Sequence, residues 1–119
     1  MVKLTCLLKR KPGMSVEEFH RHWRDVHGPL IAGLPNLARH VVRYEQHPRL
    51  EGSQAVGTAG FDGVAEQWFR SLDDFMAFVG EPDYARHVAP DEERFLDRAG
   101  LVWIISAAPR VVIDGPEAC

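Results

Sequence analysis

The chain has 119 residues, 45% hydrophobic and 26% charged, enough for one core and too few for several. With 17 acidic against 14 basic side chains its net charge is −3, so the basic excess that would neutralise nucleic-acid phosphates is missing. No apolar run approaches the length of a membrane span, and residues 1–8 lack the long apolar region and cleavage site of a secretory leader. These features lead us to expect a cytoplasmic protein of one domain, 1–119, with neither nucleic acid nor membrane as partner.

In chain order, residues 2–9 read as a strand closed by the turn Lys11-Pro12-Gly13. Leu4, Cys6 and Leu8 point one way, Thr5 and Leu7 the other. Ser15 is a good helix N-cap, Glu18 completes a capping box, and Glu17 sits at the positive end of the helix dipole. Val16, Phe19, Trp23 and Val26 recur at helical spacing as a buried stripe, and Gly28-Pro29 is read as the stop. Residues 38–45 form a second strand. From 47 to 63, four glycines, Pro48 and small polar residues predict a long flexible connection. A third strand spans 64–69. Ser71 caps a second helix whose stripe is Leu72, Phe75, Met76 and Val79, ended by Gly80 and Pro82. Short helical pieces follow at 84–88 and 91–99. A last strand runs from 101 to 112 with Pro109 toward its end, and 113–119 is a C-terminal tail.

This βαββαβ order is the split βαβ arrangement of a ferredoxin-like α+β fold, an antiparallel sheet with helices on one face. Strands one and four are apolar on both faces, so the uncovered face demands a partner. A second copy packed sheet to sheet is the economical one, giving a homodimer closed into an α/β barrel. Charge is split between the halves: residues 1–59 hold nine Lys or Arg against five acids, residues 60–119 five against twelve. Such halves complement each other across the fold or the dimer. The run Lys9-Arg10-Lys11 reads as a solvated strand end, with an anion site as the alternative.

Chemistry-bearing residues are few. His27 closes the first helix, where an imidazole either satisfies terminal carbonyls or serves a site. His20 and His22 share no metal-like spacing with it, Cys6 and Cys119 suggest neither metal nor disulfide, and no phosphate loop or nucleophile elbow occurs. No metal and no cofactor are expected. On the third strand Gln67 is either paired in the core or lines a pocket. Glu66, on the opposite face, is either an interface partner or a pocket acid.

Two stretches carry a family resemblance: Lys11-Pro12-Gly13-Met14-Ser15-Val16-Glu17-Glu18-Phe19 with Trp23 and His27-Gly28-Pro29-Leu30, and Phe61-Asp62-Gly63-Val64-Ala65-Glu66-Gln67-Trp68-Phe69 with Ser71-Leu72. Together they resemble the EthD domain, from about residue 2 to residue 113. The resemblance implies a dimeric α/β barrel. Proteins of that kind include one needed for ethyl tert-butyl ether degradation beside a cytochrome P450 system, a methylmuconolactone methylisomerase and fungal enzymes of aromatic polyketide tailoring. Wider relatives include cyclases, quinol-forming monooxygenases and haem-binding proteins. In the methylisomerase a histidine ends helix one, a phenol lies on strand two and a cysteine on strand three. The matching positions here are His27, His40 and Gln67, so the phenol and the thiol are replaced.

The expected function is therefore cofactor-independent acid–base chemistry (isomerisation, cyclisation or dehydration) on an apolar aromatic, polyketide or lactone-like molecule. His27 would be the acid or base, with His40 and Gln67 orienting a substrate oxygen. Phe19, Trp23, Phe69, Phe75, Tyr84 and His87 would line the pocket. The alternatives are a non-catalytic accessory binding protein for a monooxygenase pathway, a cofactor-free monooxygenase, and a haem-binding barrel with His27 or His87 as axial ligand.

Overall fold

In the computed structural model, which describes residues 1–116, strands Val2–Leu8 (β1), Val41–Pro48 (β2), Gly63–Phe69 (β3) and Val102–Ser106 (β4) pair antiparallel throughout, in the order β2-β3-β1-β4. This is the ferredoxin-like α+β arrangement expected from the element order. Boundaries differ by more than one residue at two strands. The second starts at Val41, after a short helix Pro35–Ala38, and not at residue 38. The last ends at Ser106 and not at 112, so Pro109 lies beyond the sheet.

The first helix, α1, begins under the capping box: Ser15 Oγ accepts from the Glu18 N–H at 3.0 Å, and the Ser15 N–H donates to Glu18 Oε1 at 3.4 Å. It does not stop at Gly28-Pro29. It runs as Val16–His22, one π-helical turn Trp23–His27, and Gly28–Ala32. Gly28 has ordinary helical angles (φ −59°, ψ −53°), and its N–H donates to the Trp23 carbonyl five residues back. Pro29 has no N–H to offer, and its ring would crowd the carbonyl four residues earlier in a regular helix; the wider turn relieves this.

Helix α2 is Pro35–Ala38 and α3 is Leu72–Gly80. The last helix, α4, repeats the device of α1: a π-helical turn Tyr84–Val88 leads into Ala89–Phe95, and the Ala89 N–H donates to the Tyr84 carbonyl just before Pro90.

The π turn changes which side chains point inward. After Trp23, 2% exposed, the next buried residue is His27 at 6%, four positions on, while Val26 is 46% exposed. Val16 is also exposed, so the stripe expected from a regular 3.6-residue period is corrected at both ends. In α3 the buried pair is Phe75 and Phe78, and Leu72 and Met76 face outward. Phe75 and Phe78 place their ring centroids 5.3 and 5.4 Å from that of Phe69 on β3, and this aromatic cluster sets the rotation of the helix.

Two apolar clusters hold the helices on the sheet. One gathers Ile31, Leu37, Phe69, Phe75, Phe78 and Val88; the other gathers Leu8, Phe19, Trp23, Phe95 and Leu96. The opposite sheet face is open. Val102 and Ile104 are more than half exposed there, opposite Leu7 and Thr5 of β1. Beside them Lys3 pairs with Glu66 at 3.2 Å, and Glu45 takes contacts from Arg43 and His47. Glu66 is thus an open-face residue and not a pocket acid.

The basic run at the end of β1 serves the fold. Arg10 donates through its N–H and Nη1 to the buried Asp62 at 3.0 and 2.6 Å, and Lys9 lies 5.0 Å from the Phe61 ring centroid. Between β2 and β3, Arg49 donates to Ser53 Oγ and to the carbonyls of Ser53, Val56, Thr58 and Phe61. No described helix is long and apolar enough to cross a membrane. Cys6 is a free thiol, and Cys119 lies outside the described residues.

Gly63 opens β3 directly beneath the Trp23 indole. A Cβ there would sit 2.6 Å from Trp23 Cζ3 and 3.2 Å from the His47 carbonyl oxygen. Gly63→Ala is therefore expected to destabilise the protein by ~1–3 kcal/mol, the usual cost of overpacking, read as a lowered urea midpoint. An unchanged midpoint would show that Trp23 is free to move aside.

Candidate functional site

A cavity of about 340 Å³ lies between the helices and the sheet, where the two apolar clusters fail to close on each other. Its floor is Leu4 and Cys6 of β1, Ala65 and Gln67 of β3, and Tyr44 of β2. Its walls come from Trp23, His27 and Ile31 of α1, Phe75 and Phe78 of α3, and Tyr84, Glu92 and Phe95 of α4. Trp103 and Arg98 stand where it opens; both are about half exposed or more. The volume suits a small molecule, and the mixture of apolar walls with a few polar groups is that of a ligand site.

The π turn of α1 aims His27 into this cavity. Its Nδ1 lies 2.8 Å from Oδ2 of Asp91, and the other carboxylate oxygen is 2.8 Å from Nε2 of His22. Asp91 is 1% exposed, and its third contact is Arg94 Nη1 at 3.4 Å. Burial works against ionising this carboxyl, yet the hydrogen bonds from His27 and His22 outweigh it and hold its pKa below the usual range. Burial is also the largest influence on His27 and draws its pKa below the ordinary value, against the pull of Asp91. At neutral pH the imidazole is thus uncharged, its Nδ1–H donated to Asp91. That tautomer leaves Nε2 with a lone pair and no hydrogen-bond partner among the described residues, the electronic state of a general base.

The expected site residues divide into two sets. His27, Gln67, Trp23, Phe75 and Tyr84 all line the cavity. Gln67 is 7% exposed, and no described residue bonds its side-chain amide, which leaves the amide for a ligand. Phe19 and Phe69 are fully buried and act as the packing behind the walls. His40 does not join the cavity: it precedes β2, and its Nε2 lies 2.8 Å from Glu81 Oε1. His87 lines a separate outer cleft with Arg86, Pro90 and Arg94, so it and His27 face no common space.

The phenol on strand two is Tyr44, which the sequence reading passed over. A β-bulge at Val42 breaks the alternation between Val41 and Arg43, so the inward side chains of β2 are Val41, Tyr44 and Gln46. Gln46 Nε2 donates to the Tyr44 hydroxyl at 3.0 Å and to the Trp23 carbonyl at 2.9 Å, leaving the phenolic hydrogen free to point at a ligand. The amide reaches that carbonyl because residue 28 is glycine; a Cβ there would meet Gln46 Nε2 at 2.8 Å. Glu92 was also missed. It follows Asp91 but faces the cavity, where Oε2 accepts from the Tyr84 hydroxyl at 2.9 Å. Cys6 is no nucleophile, since burial pushes its thiol up to about 11.

Ligand atoms of Glu45, His47 and Glu66 approach within 4.8 Å of one another on the open sheet face, but the three are already tied to Arg43, Lys3 and each other. They take no part in the cavity.

The profile of the EthD domain family matches residues 11–99. The dehydratase ustZ of Ustilaginoidea virens is 29% identical over 96% of this chain and 88% of its own length. The decarboxylase claH of Passalora fulva is 30% identical over 94% of this chain and 79% of its own. Among solved structures, a dimeric protein of ferredoxin-like fold from Bacteroides fragilis superposes with a TM-score of 0.64 at 15% identity, covering 88% of this chain and 93% of that one.

The depressed pKa of His27 has a sign for stability. The unfolded chain takes up the proton near the ordinary pKa of about 6.5, before the folded state does, so stability is lost as pH falls through that value. Stability is expected to fall as pH drops through about 6.5. His27→Gln should flatten that slope, measured by urea melts across pH, and a slope unchanged in the variant would refute a buried neutral imidazole.

Proposed function

The chain belongs to the EthD domain family, and on that premise we propose that it is an enzyme of small-molecule metabolism that eliminates water from an aromatic or polyketide-like hydroxy ketone. The observation that carries this reading is the His27–Asp91 pair at the wall of an apolar cavity: Nδ1 lies 2.8 Å from the carboxylate, and Nε2 has no hydrogen-bond partner among the described residues. The names of the fungal dehydratase and decarboxylase relatives support the reaction class. Loss of water from a β-hydroxy ketone and loss of carbon dioxide from a β-keto acid both pass through an enolate, so one kind of cavity serves either.

In the proposed step Nε2 of His27 takes a proton from the carbon between the carbonyl and the hydroxyl-bearing carbon. The C–H electron pair becomes the enolate double bond, and the negative charge grows on the carbonyl oxygen. Tyr44 donates its hydroxyl hydrogen and Gln67 its amide hydrogen to that oxygen. The enolate then forms the new carbon–carbon double bond as the C–O bond breaks, and the departing oxygen takes up a proton and leaves as water. Asp91 stabilises the imidazolium that forms, as its bond to Nδ1 strengthens when His27 gains charge. Trp23, Phe75, Phe78 and Phe95 keep the reacting carbon out of water, and aromatic walls favour a planar conjugated product.

We expect wild-type protein to convert members of a panel of aromatic β-hydroxy ketones to products lighter by one water, read by mass spectrometry. His27→Gln keeps the shape of the wall without a titratable nitrogen, and turnover should fall by roughly 10²–10⁴-fold, the usual share of one acid–base group. A folded His27→Gln variant with full turnover would sink the assignment. The homodimer is part of the same reading: the similar fold from Bacteroides fragilis is described as dimeric, and the open face presents Val102 and Ile104. Ile104→Asp would bury a charge without a partner, so light scattering is expected to show a dimer for the wild type and monomers for the variant.

A further inference from the structure

The geometry points to Glu92 as the group that hands a proton to the departing hydroxyl, which makes the site a two-group acid–base machine and narrows its substrates to those with a poor leaving group. This rests on the reading of His27 as base. Elimination of water needs both halves: a base for the C–H proton and an acid for the oxygen, since hydroxide leaves a carbon chain reluctantly unless it is protonated as it goes.

Adjacent residues of α4 face opposite tasks. Asp91 turns toward α1 and orients His27, while Glu92 turns toward the cavity, its side chain only 17% exposed. Tyr84, eight residues earlier on the same helix, donates its hydroxyl to Oε2 of Glu92 at 2.9 Å. The other oxygen, Oε1, lies 4.0 Å from Arg98 Nη2, beyond hydrogen-bond distance, and has no closer donor among the described residues. One carboxyl oxygen is therefore fixed and the other is left for a ligand. Burial raises the pKa of this carboxyl, and the negative Asp91 adds to it, against the opposing effects of Tyr84 and Arg98. A proton is thereby retained further toward neutral pH than on an ordinary glutamic acid.

The remaining titratable groups around the cavity do not compete for this role. The Cys6 thiol is held at about 11. Burial raises both phenols, Tyr44 and Tyr84, above their ordinary value, so they donate hydrogen bonds and keep their protons. His27 and Glu92 are left as the base and the acid. In the step, the enolate electrons form the C=C bond, the C–O bond breaks, and the Glu92 proton goes to the departing oxygen, which leaves as water. Glu92 is left ionised and His27 protonated; proton exchange with solvent restores both.

Two ketones with one carbon skeleton test this: 4-hydroxy-4-phenylbutan-2-one, which must lose water, and its 4-nitrophenyl ether, whose leaving group departs as an anion without help. Glu92→Gln keeps size and can still accept from Tyr84. It is expected to cut loss of water by 10²–10⁴-fold and loss of nitrophenolate by far less, whereas His27→Gln should cut both alike. Tyr84→Phe removes a bond to the ionised carboxylate, so the alkaline limb of the pH profile for loss of water should move to higher pH. Equal losses on both ketones in folded Glu92→Gln protein, or no loss on either, would overturn the proposal. Wild-type protein that releases no nitrophenolate would defeat the His27 reading itself, and this one with it.

Discussion

One buried carboxylate holds the arrangement together. Asp91 is 1% exposed and accepts from His27 and His22 at 2.8 Å each, so two turns of α1 are pinned to the first turn of the regular part of α4. An isolated carboxylate in that position would be costly, and the histidine bonds are what make its charge tolerable. The benefit is orientation. With Nδ1 committed to Asp91, the imidazole has one tautomer and one free nitrogen, and the cavity receives a lone pair at a fixed place. Arg94 adds a longer contact from the solvent side. The network thus does two things at once, since the bonds that join two helices also set the tautomer of His27.

The two π turns make that junction possible. Each is followed by a proline two residues on, Pro29 after Trp23–His27 and Pro90 after Tyr84–Val88. A proline in a regular helix would leave one carbonyl unpaired and crowd it. Here the chain inserts a residue and carries on, with the bond shifted to the carbonyl five residues back. The insertion rotates everything that follows by roughly one position, so that His27, not Val26, turns inward. The same happens where Tyr84 enters the second turn. The walls of the cavity that carry His27 and Glu92 are both consequences of how a helix passes a proline.

The fold was legible because its signals are local. The capping box at Ser15 and Glu18, the cap at Ser71, the two-faced apolar strands and the element order each depend on neighbours a few residues apart. What escaped was non-local or aperiodic. Gly28-Pro29 carries the composition of a stop, and only Trp23's carbonyl and the packing of α1 on the sheet show that the helix goes on. His40 and Tyr44 share parity in an unbroken strand. The strand begins at Val41 and bulges at Val42, so parity selects Tyr44 and leaves His40 beside Glu81. Glu92 has the look of an acid at a helix start, a place where carboxylates favour the dipole. Nothing in the sequence places Tyr84 and Arg98 around it. Five of the nine expected site residues, His27 and Gln67 with Trp23, Phe75 and Tyr84, do line the cavity, because helix ends and inward strand positions can be counted.

The sheet keeps two demands apart. Alternation along β1 sends Leu4, Cys6 and Leu8 to the cavity side and Thr5 and Leu7 to the open side, and β3 sends Ala65 and Gln67 one way and Val64, Glu66 and Trp68 the other. Residues on the open face can therefore be shaped for self-association without touching the cavity. Residues on the inner face can trade one polar group for another without disturbing the open face. The coupling that remains runs through the backbone of β1 and β4, which carry both faces at once, and through Trp103, which stands on β4 at the mouth of the cavity with its ring 6.2 Å from Phe75. Packing a second sheet against Val102 and Ile104 would stiffen that strand and so fix the mouth. On this argument a partner on the open face and a ligand in the cavity would share strands but no side chain.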